Sequence, residues 1–201
     1  MTAKQNPPDN PMTHRIAIFA SGSGTNAEEI FKYFSAHKSI WVAVLLSNNP
    51  NAFALERARK FNVPVMVFDR IQFRESDDVL KWLNQQEVTH IVLAGFLWLV
   101  PGALITAYSG RIINIHPALL PKYGGKGMYG MKVHEAVKAS GDPETGITIH
   151  EVNEKYDDGN ILFKAICPVK PEDSPDDIAN RVHQLEYTWY PKVIEDWILR
   201  R

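Results

Sequence analysis

The sequence predicts an α/β fold: a single domain on a mostly parallel twisted sheet with helices on both faces, ending in an antiparallel strand pair plus a helix. Three observations lead there. Apolar, β-branched runs alternate with helix-period segments from Arg15 to Ile115. The apolar runs are almost unbroken, as in strands covered on both faces. After Gly146 two such runs follow each other across an acidic turn, and Ser174 opens a last helix.

The elements follow in order. Arg15 to Ala20 reads as the first strand, and Thr25 to His37 as a helix with Ile30, Phe31 and Phe34 inward. Ile40 to Leu46 is a second strand, Asn51 to Phe61 a second helix, and Val65 to Phe68 a third strand. Glu75 to Gln86 repeats at helical spacing, with Val79, Leu80 and Leu83 on one face. Val88 to Ala94 and Arg111 to Ile115 are the fourth and fifth strands. Gly146 to Val152 and Ile161 to Pro168 pair across the turn from Lys155 to Asn160. Ser174-Pro175-Asp176-Asp177 combines a capping hydroxyl, proline at the first helical position and acid in the first turn. Ile178, Val182, Leu185 and Trp189 continue that helix on one face until Pro191 kinks or restarts it.

Composition narrows the function classes. Lys and Arg number 22 against 23 Asp and Glu, so no global basic field recruits nucleic acid. The single cysteine, Cys167, excludes an intrachain disulfide and a thiolate zinc site, and fits a reducing cytoplasm. Residues 1–13 are polar and proline-bearing without the apolar centre of a signal peptide, and read as a disordered extension before a domain at 14–201. Val88 to Gly110 carries no formal charge, but Gly95, Pro101 and Gly102 interrupt it. A buried strand, a turn and a short helix account for it better than a membrane span.

In a parallel α/β sheet, ligands bind beyond the carboxyl ends of the strands. Four polar or glycine-bearing segments fall there: Ser21-Gly22-Ser23-Gly24-Thr25-Asn26, Gly95 to Trp98, Asn114 with His116, and Asp157-Asp158-Gly159. Asn114 and His116 are two apart on a strand, so they face one volume. An amide donor beside an imidazole suits carbonyl chemistry, where one group holds an oxyanion and the other moves a proton. The Ser-Gly loop opens a helix and suits a monophosphate, or serves only as a tight turn. It is neither a Walker loop nor a dinucleotide fingerprint. Asp157 and Asp158 either form a solvated turn or bring a carboxylate to His116 and raise its pKa. His134-Glu135 lacks the second histidine of H-E-x-x-H, so no metal site is expected.

These segments, with Leu93-Ala94-Gly95-Phe96 and Ile113-Asn114-Ile115-His116-Pro117-Ala118-Leu119-Leu120-Pro121-Lys122-Tyr123, occur in one order that resembles the folate-dependent formyltransferases. The Asn-Ile-His-Pro…Leu-Leu-Pro motif resembles the 10-formyltetrahydrofolate transferases at large. The Ser-Gly loop narrows the resemblance to the phosphoribosylglycinamide formyltransferase branch, which formylates glycinamide ribonucleotide in purine (IMP) biosynthesis. The resemblance implies a Rossmann-like fold and roles for individual residues. Asn114 would hold the formyl oxygen, His116 would act as general acid, and Asp157 would raise its pKa. Gly24, Thr25 and Asn26 would bind the substrate phosphate, and Glu186 would lie near the glycinamide end. Arg74 would lie near the folate tail, with Leu97, Trp98, Leu99 and Val100 along the pterin pocket beside Asn114. Trp98 stands where many relatives carry arginine.

Tyr123 to Met131 carries four glycines and is longer than the usual connection. It reads as a mobile lid bearing Lys126, or as a flexible surface loop. The implied cosubstrate is 10-formyltetrahydrofolate, without metal. The implied partners are small molecules, with neither nucleic acid nor membrane, for a monomer or homodimer. The rivals are an amino-sugar formyltransferase, which would not be expected to keep the Ser-Gly loop, and a non-catalytic α/β ligand-binding domain, which would not need Asn114, His116 and Asp157 together. A transferase acting on methionyl-tRNA or a formyltetrahydrofolate hydrolase would be expected to add a further domain.

Overall fold

The structure, a computed structural model, describes residues 14–200; the extension expected at 1–13 lies outside the described residues. Seven strands form one sheet: β1 (His14–Phe19), β2 (Ile40–Ser47), β3 (Val65–Val67), β4 (His90–Leu93), β5 (Ile112–His116), β6 (Glu144–Glu151) and β7 (Ile161–Pro168). Their spatial order is β3-β2-β1-β4-β5-β6-β7. The first five run parallel, and β6 and β7 are antiparallel additions. This is the predicted mostly parallel sheet with its antiparallel pair. The chain leaves β1 first towards β2 and later returns to β4 on its other side. The crevice beyond β1 and β4 is therefore a topological switch point, where such sheets take ligands.

Helices cover both faces. On one, α1 (Thr25–Phe34), α2 (Phe53–Lys60), α6 (Met131–Ser140) and α7 (Pro175–Leu199) contribute to a core with Ile16, Ile18, Val92, Ile113 and Ile149. On the other, α4 (Asp78–Gln85), α5 (Gly102–Ala107) and Phe73 of α3 (Arg70–Arg74) pack on Ala17, Phe19, Val44 and Ile91. The alternation of β1 residues between the two cores follows from the two-residue period of a strand. Ile30, Phe31 and Phe34 are inward, as their spacing predicts.

The structure differs from expectation in four places. The helix predicted from Glu75 begins at Asp78 as α4, and a short helix that was not predicted, α3, precedes it, started by the capping box of Asp69 and Gln72. Helix α6 was not predicted; it follows a glycine-rich loop, has no side-chain cap and buries only Val133, His134 and Val137. Helix α7 starts with the predicted Ser174 cap but runs through Pro191, which is buried within it. Finally, Trp189 does not join its buried stripe: Glu186 and Tyr190 do, while Trp189 is exposed and packs its ring 4.9 Å from Phe163. The uncharged stretch from Val88 resolves into β4, a loop and α5, and no helix among the described residues is long and apolar enough to cross a membrane.

Candidate active site

A cavity of about 740 Å³ opens beyond the carboxyl ends of β1, β4 and β5. Its walls gather the Ser-Gly loop, Leu97 to Val100, Asn114, His116, Asp157 and Glu186. All of the sequence-predicted site residues line it except Arg74. That residue sits at the end of α3 on a separate hollow of about 120 Å³. The cation nearer the cavity wall is Arg70, whose guanidinium lies 5.5 Å from the Trp98 ring centroid.

One end of the cavity is built by the start of α1. Gly24 holds φ 72°, a left-handed conformation that other residues adopt at a cost. A Cβ on Gly24 would also meet Ala54 Cβ at 2.5 Å, so steric need for this glycine is real. Gly22 has no such neighbour. Both sequence readings of the loop therefore hold, at different glycines: Gly24 makes the turn, and Gly22 leaves backbone open. No side chain caps α1. Its first N–H groups, at Thr25 and Asn26, can receive an anion. Ser21 ties the loop to β4: its N–H donates to Gly95 O at 3.0 Å, and its hydroxyl accepts from Leu97 N–H at 3.0 Å.

Asn26 Nδ2 donates to Glu186 Oε2 at 2.9 Å, joining α1 to α7. Glu186 is buried, and burial pushes its carboxyl up to about 7 against the opposing Asn26 bond. Asn26 Oδ1 is buried without a partner, an acceptor that a ligand N–H or O–H would satisfy. His134 of α6 also lines the cavity; burial, His183 and His116 lower it to about 4, so its imidazole is uncharged at neutral pH.

The other end centres on β5. Asn114 and His116 project to one side, as the i, i+2 spacing predicts. Thr148 of β6 braces the loop after them: its hydroxyl donates to Ala118 O at 2.7 Å and accepts from Leu120 N–H at 3.0 Å. His116 Nε2 donates to Tyr123 O at 2.8 Å, and its Nδ1 lies 3.5 Å from Asp157 Oδ2. Asp157 reaches it from the β6–β7 turn with φ 54°, a conformation costing a non-glycine residue roughly 1–2 kcal/mol. The Gly125 N–H donates to the same carboxylate oxygen at 2.9 Å. Asp157 is thus a held carboxylate and not a solvated one.

Burial is the strongest influence on both groups, pushing the Asp157 carboxyl up and the His116 imidazole down. On Asp157 the His150 and His116 rings and the Gly125 N–H overcome it and hold the carboxyl below its ordinary value. On His116 burial, aided by the neighbouring His150, wins over Asp157 and the Tyr123 carbonyl, and the ring titrates below its ordinary value. This corrects the expectation that Asp157 raises the His116 pKa: the carboxylate pulls that way but is outweighed. Sequence reasoning also missed His150. Antiparallel pairing sets it directly opposite Asn114, and its Nε2 lies 3.1 Å from Asn114 Nδ2 and 3.6 Å from Asp157 Oδ1. The strand pair was legible, but its register was not.

An amide donor, an uncharged imidazole backed by a carboxylate, and a helix N-terminus across one cavity make a site for acyl transfer onto an anion-bearing nucleophile. Among the described residues no group of three or more His, Cys, Asp or Glu side chains is placed to hold a metal ion.

The formyl transferase family model matches residues 14–194. The chain belongs to the formyl transferase family. The chain is 40% identical to the chloroplastic phosphoribosylglycinamide formyltransferase of Arabidopsis thaliana over 92% of this chain, and spans 65% of that protein. It is 38% identical to the phosphoribosylglycinamide formyltransferase of Haemophilus influenzae, covering 90% of this chain and 85% of that one. Among solved structures, glycinamide ribonucleotide transformylase 1 from Symbiobacterium toebii superposes with a TM-score of 0.87 at 30% identity, covering 100% of this chain and 94% of that one.

Proposed function

We propose that this protein transfers the formyl group of 10-formyltetrahydrofolate to the amine of glycinamide ribonucleotide, a phosphoribosylglycinamide formyltransferase reaction. One observation carries the reading. Asn114 and His116 line the same cavity as the uncapped N-terminus of α1. A substrate with a phosphate at one end and an amine at the other would span these features. The names of the relatives agree with this reading.

The phosphate would sit at Gly24, Thr25 and Asn26, and Glu186 with Asn26 would meet polar groups of the substrate body. Leu97 to Val100 would flank the folate ring. The amine attacks the formyl carbon, a new C–N bond forms, and charge collects on the formyl oxygen. Asn114 donates an amide hydrogen to that oxygen. The uncharged His116 takes the proton released by the attacking nitrogen, and Asp157 stabilises the imidazolium that results. His116 then supplies a proton to the folate nitrogen as its C–N bond breaks. The proton count closes without an outside acid or base.

The test is formyl transfer from 10-formyltetrahydrofolate to glycinamide ribonucleotide, to an amino-sugar nucleotide and to water. Substantial transfer to the ribonucleotide alone supports the reading. A rate only with the sugar, or with no amine present, overturns it.

A further inference from the structure

Three successive carbonyls of the Ser-Gly loop are each anchored in the segment that follows β2. Ser21 O accepts from Asn49 Nδ2 at 3.2 Å, Gly22 O from the Ala54 N–H at 3.1 Å, and Ser23 O from Arg57 Nε at 2.9 Å. These peptides are trans, so each N–H points opposite to the C=O it shares a plane with. The N–H groups of Gly22, Ser23 and Gly24 are therefore turned away from those anchors. Neither they nor the N–H groups of Thr25 and Asn26 meet an acceptor among the described residues. All five residues line the cavity.

Arg57 of α2 is the anchor held most firmly in place. Its Nη1 pairs with the Glu28 carboxylate in the first turn of α1, and its guanidinium lies 4.9 Å from the Phe53 ring centroid. The side chain is 20% exposed, and the cavity lining formed by the described residues does not include it. Its charge is therefore matched by Glu28 behind the loop, while its Nε–H serves the Ser23 carbonyl. We propose that Arg57 is a positioning residue for the phosphate of the acceptor substrate: it clamps the Ser23 carbonyl and so keeps the Gly24 N–H open to the anion.

The clamp has a purpose because the Ser23–Gly24 peptide ends in a glycine, whose backbone turns easily. Rotated by half a turn, that peptide would present its carbonyl oxygen to the anion in place of its N–H. A hydrogen bond from a charged donor on the far side opposes the rotation. The phosphate is bound alike before and during transfer, so the clamp acts on KM for the acceptor and leaves kcat largely alone. The identity of that acceptor rests on the formyl-transfer reading; the hold on an anion is a property of the unliganded loop.

The test compares Arg57→Met with Arg57→Gln. Met places a methyl group, and Gln an amide nitrogen, at the chain position of the arginine Nε, and both remove the charge. Arg57→Met should raise KM for glycinamide ribonucleotide about tenfold, with kcat and KM for the formyl donor little changed. Its kcat/KM for the same acceptor without the phosphate should match wild type, whereas general damage to the fold would lower it. Arg57→Gln should recover most of the loss. Equal losses in the two variants would assign the effect to charge and overturn the proposal, as would an unchanged KM in Arg57→Met or a loss shared by the acceptor without phosphate. Wild type gives a test free of any variant. Inorganic phosphate added to the unliganded protein should shift the amide NMR resonances of Gly24, Thr25 and Asn26 with one affinity, and resonances that stay in place would overturn the proposal. Shifts as expected, weakened in Arg57→Met, in a protein that transfers no formyl group would leave the clamp standing and remove the formyl-transfer reading.

Discussion

The Asn26 amide donates to the buried carboxyl of Glu186 at 2.9 Å, joining the first and last helices across the wall of the cavity. Burial holds that carboxyl at about 7 against an ordinary 4.5. The native state therefore keeps a proton where the unfolded chain has released it. The associated stability is full below about pH 4.5 and is lost as pH rises through about 7, a window worth about 3 kcal/mol. Glu186→Gln removes this titration. Urea unfolding at about pH 4.5 and about pH 8 should show the variant gaining on wild type by up to that amount at the higher pH. A constant difference between the two proteins would mean the carboxyl is not buried in this way.

Asn114→Ala and His116→Ala should each lower kcat by about a hundred- to a thousandfold or more, with circular dichroism and melting close to wild type. Both side chains end a strand whose packing comes from Ile113 and Ile115, so the fold does not depend on them. Near-wild-type turnover in either purified variant would remove the assignment.

The pH profile has a definite sign. The resting His116 is uncharged at neutral pH, because burial sets its titration below the ordinary imidazole value. After correction for ionisation of the amine substrate, kcat/KM should fall as pH drops through that range. A limb falling as pH rises through it would instead indicate an acid already protonated at rest.

Gly22 and Gly24 separate two uses of glycine in one loop. Gly24→Ala puts a Cβ against Ala54 at a left-handed position and should destabilise the fold by more than about 1 kcal/mol. Gly22→Ala meets nothing within 4 Å, so it should fold normally and raise KM for the phosphate-bearing substrate. Chemical denaturation and steady-state kinetics distinguish the two. An unstable Gly22→Ala or a stable Gly24→Ala would contradict this division.

Trp98 packs its ring against Phe68 and Phe73, with centroids 6.1 and 5.9 Å away, and holds Arg70 on its face. Trp98→Ala should raise KM for the formyl donor by about tenfold, the scale of one lost aromatic contact, and change kcat less. Unchanged KM would move folate binding away from this wall.

The sheet and its carboxyl edge were legible because buried strands write themselves as apolar runs, and because polar residues at their ends have no packing reason to be there. Helix α7 shows where periodicity misleads. Its buried ridge steps by four through Ile178, Val182, Glu186, Tyr190, Ile194 and Ile198. The glutamate hides the step, so Leu185 and Trp189 read as the continuation. Asp157 could be matched to His116, but burial that outweighs its charge is a property of the packed site and not of the motif. His150 became visible only through strand register, which a one-residue slip would have reversed.

The most direct measurement follows the carbon itself. The protein is mixed with 10-formyltetrahydrofolate labelled with ¹³C in the formyl group and with glycinamide ribonucleotide, and the label is traced by NMR. The label should appear as an N-formyl amide on the glycinamide nitrogen, one equivalent for each tetrahydrofolate released. Label recovered as formate, or left on the folate while the purified protein is folded, would contradict the formyl-transfer account.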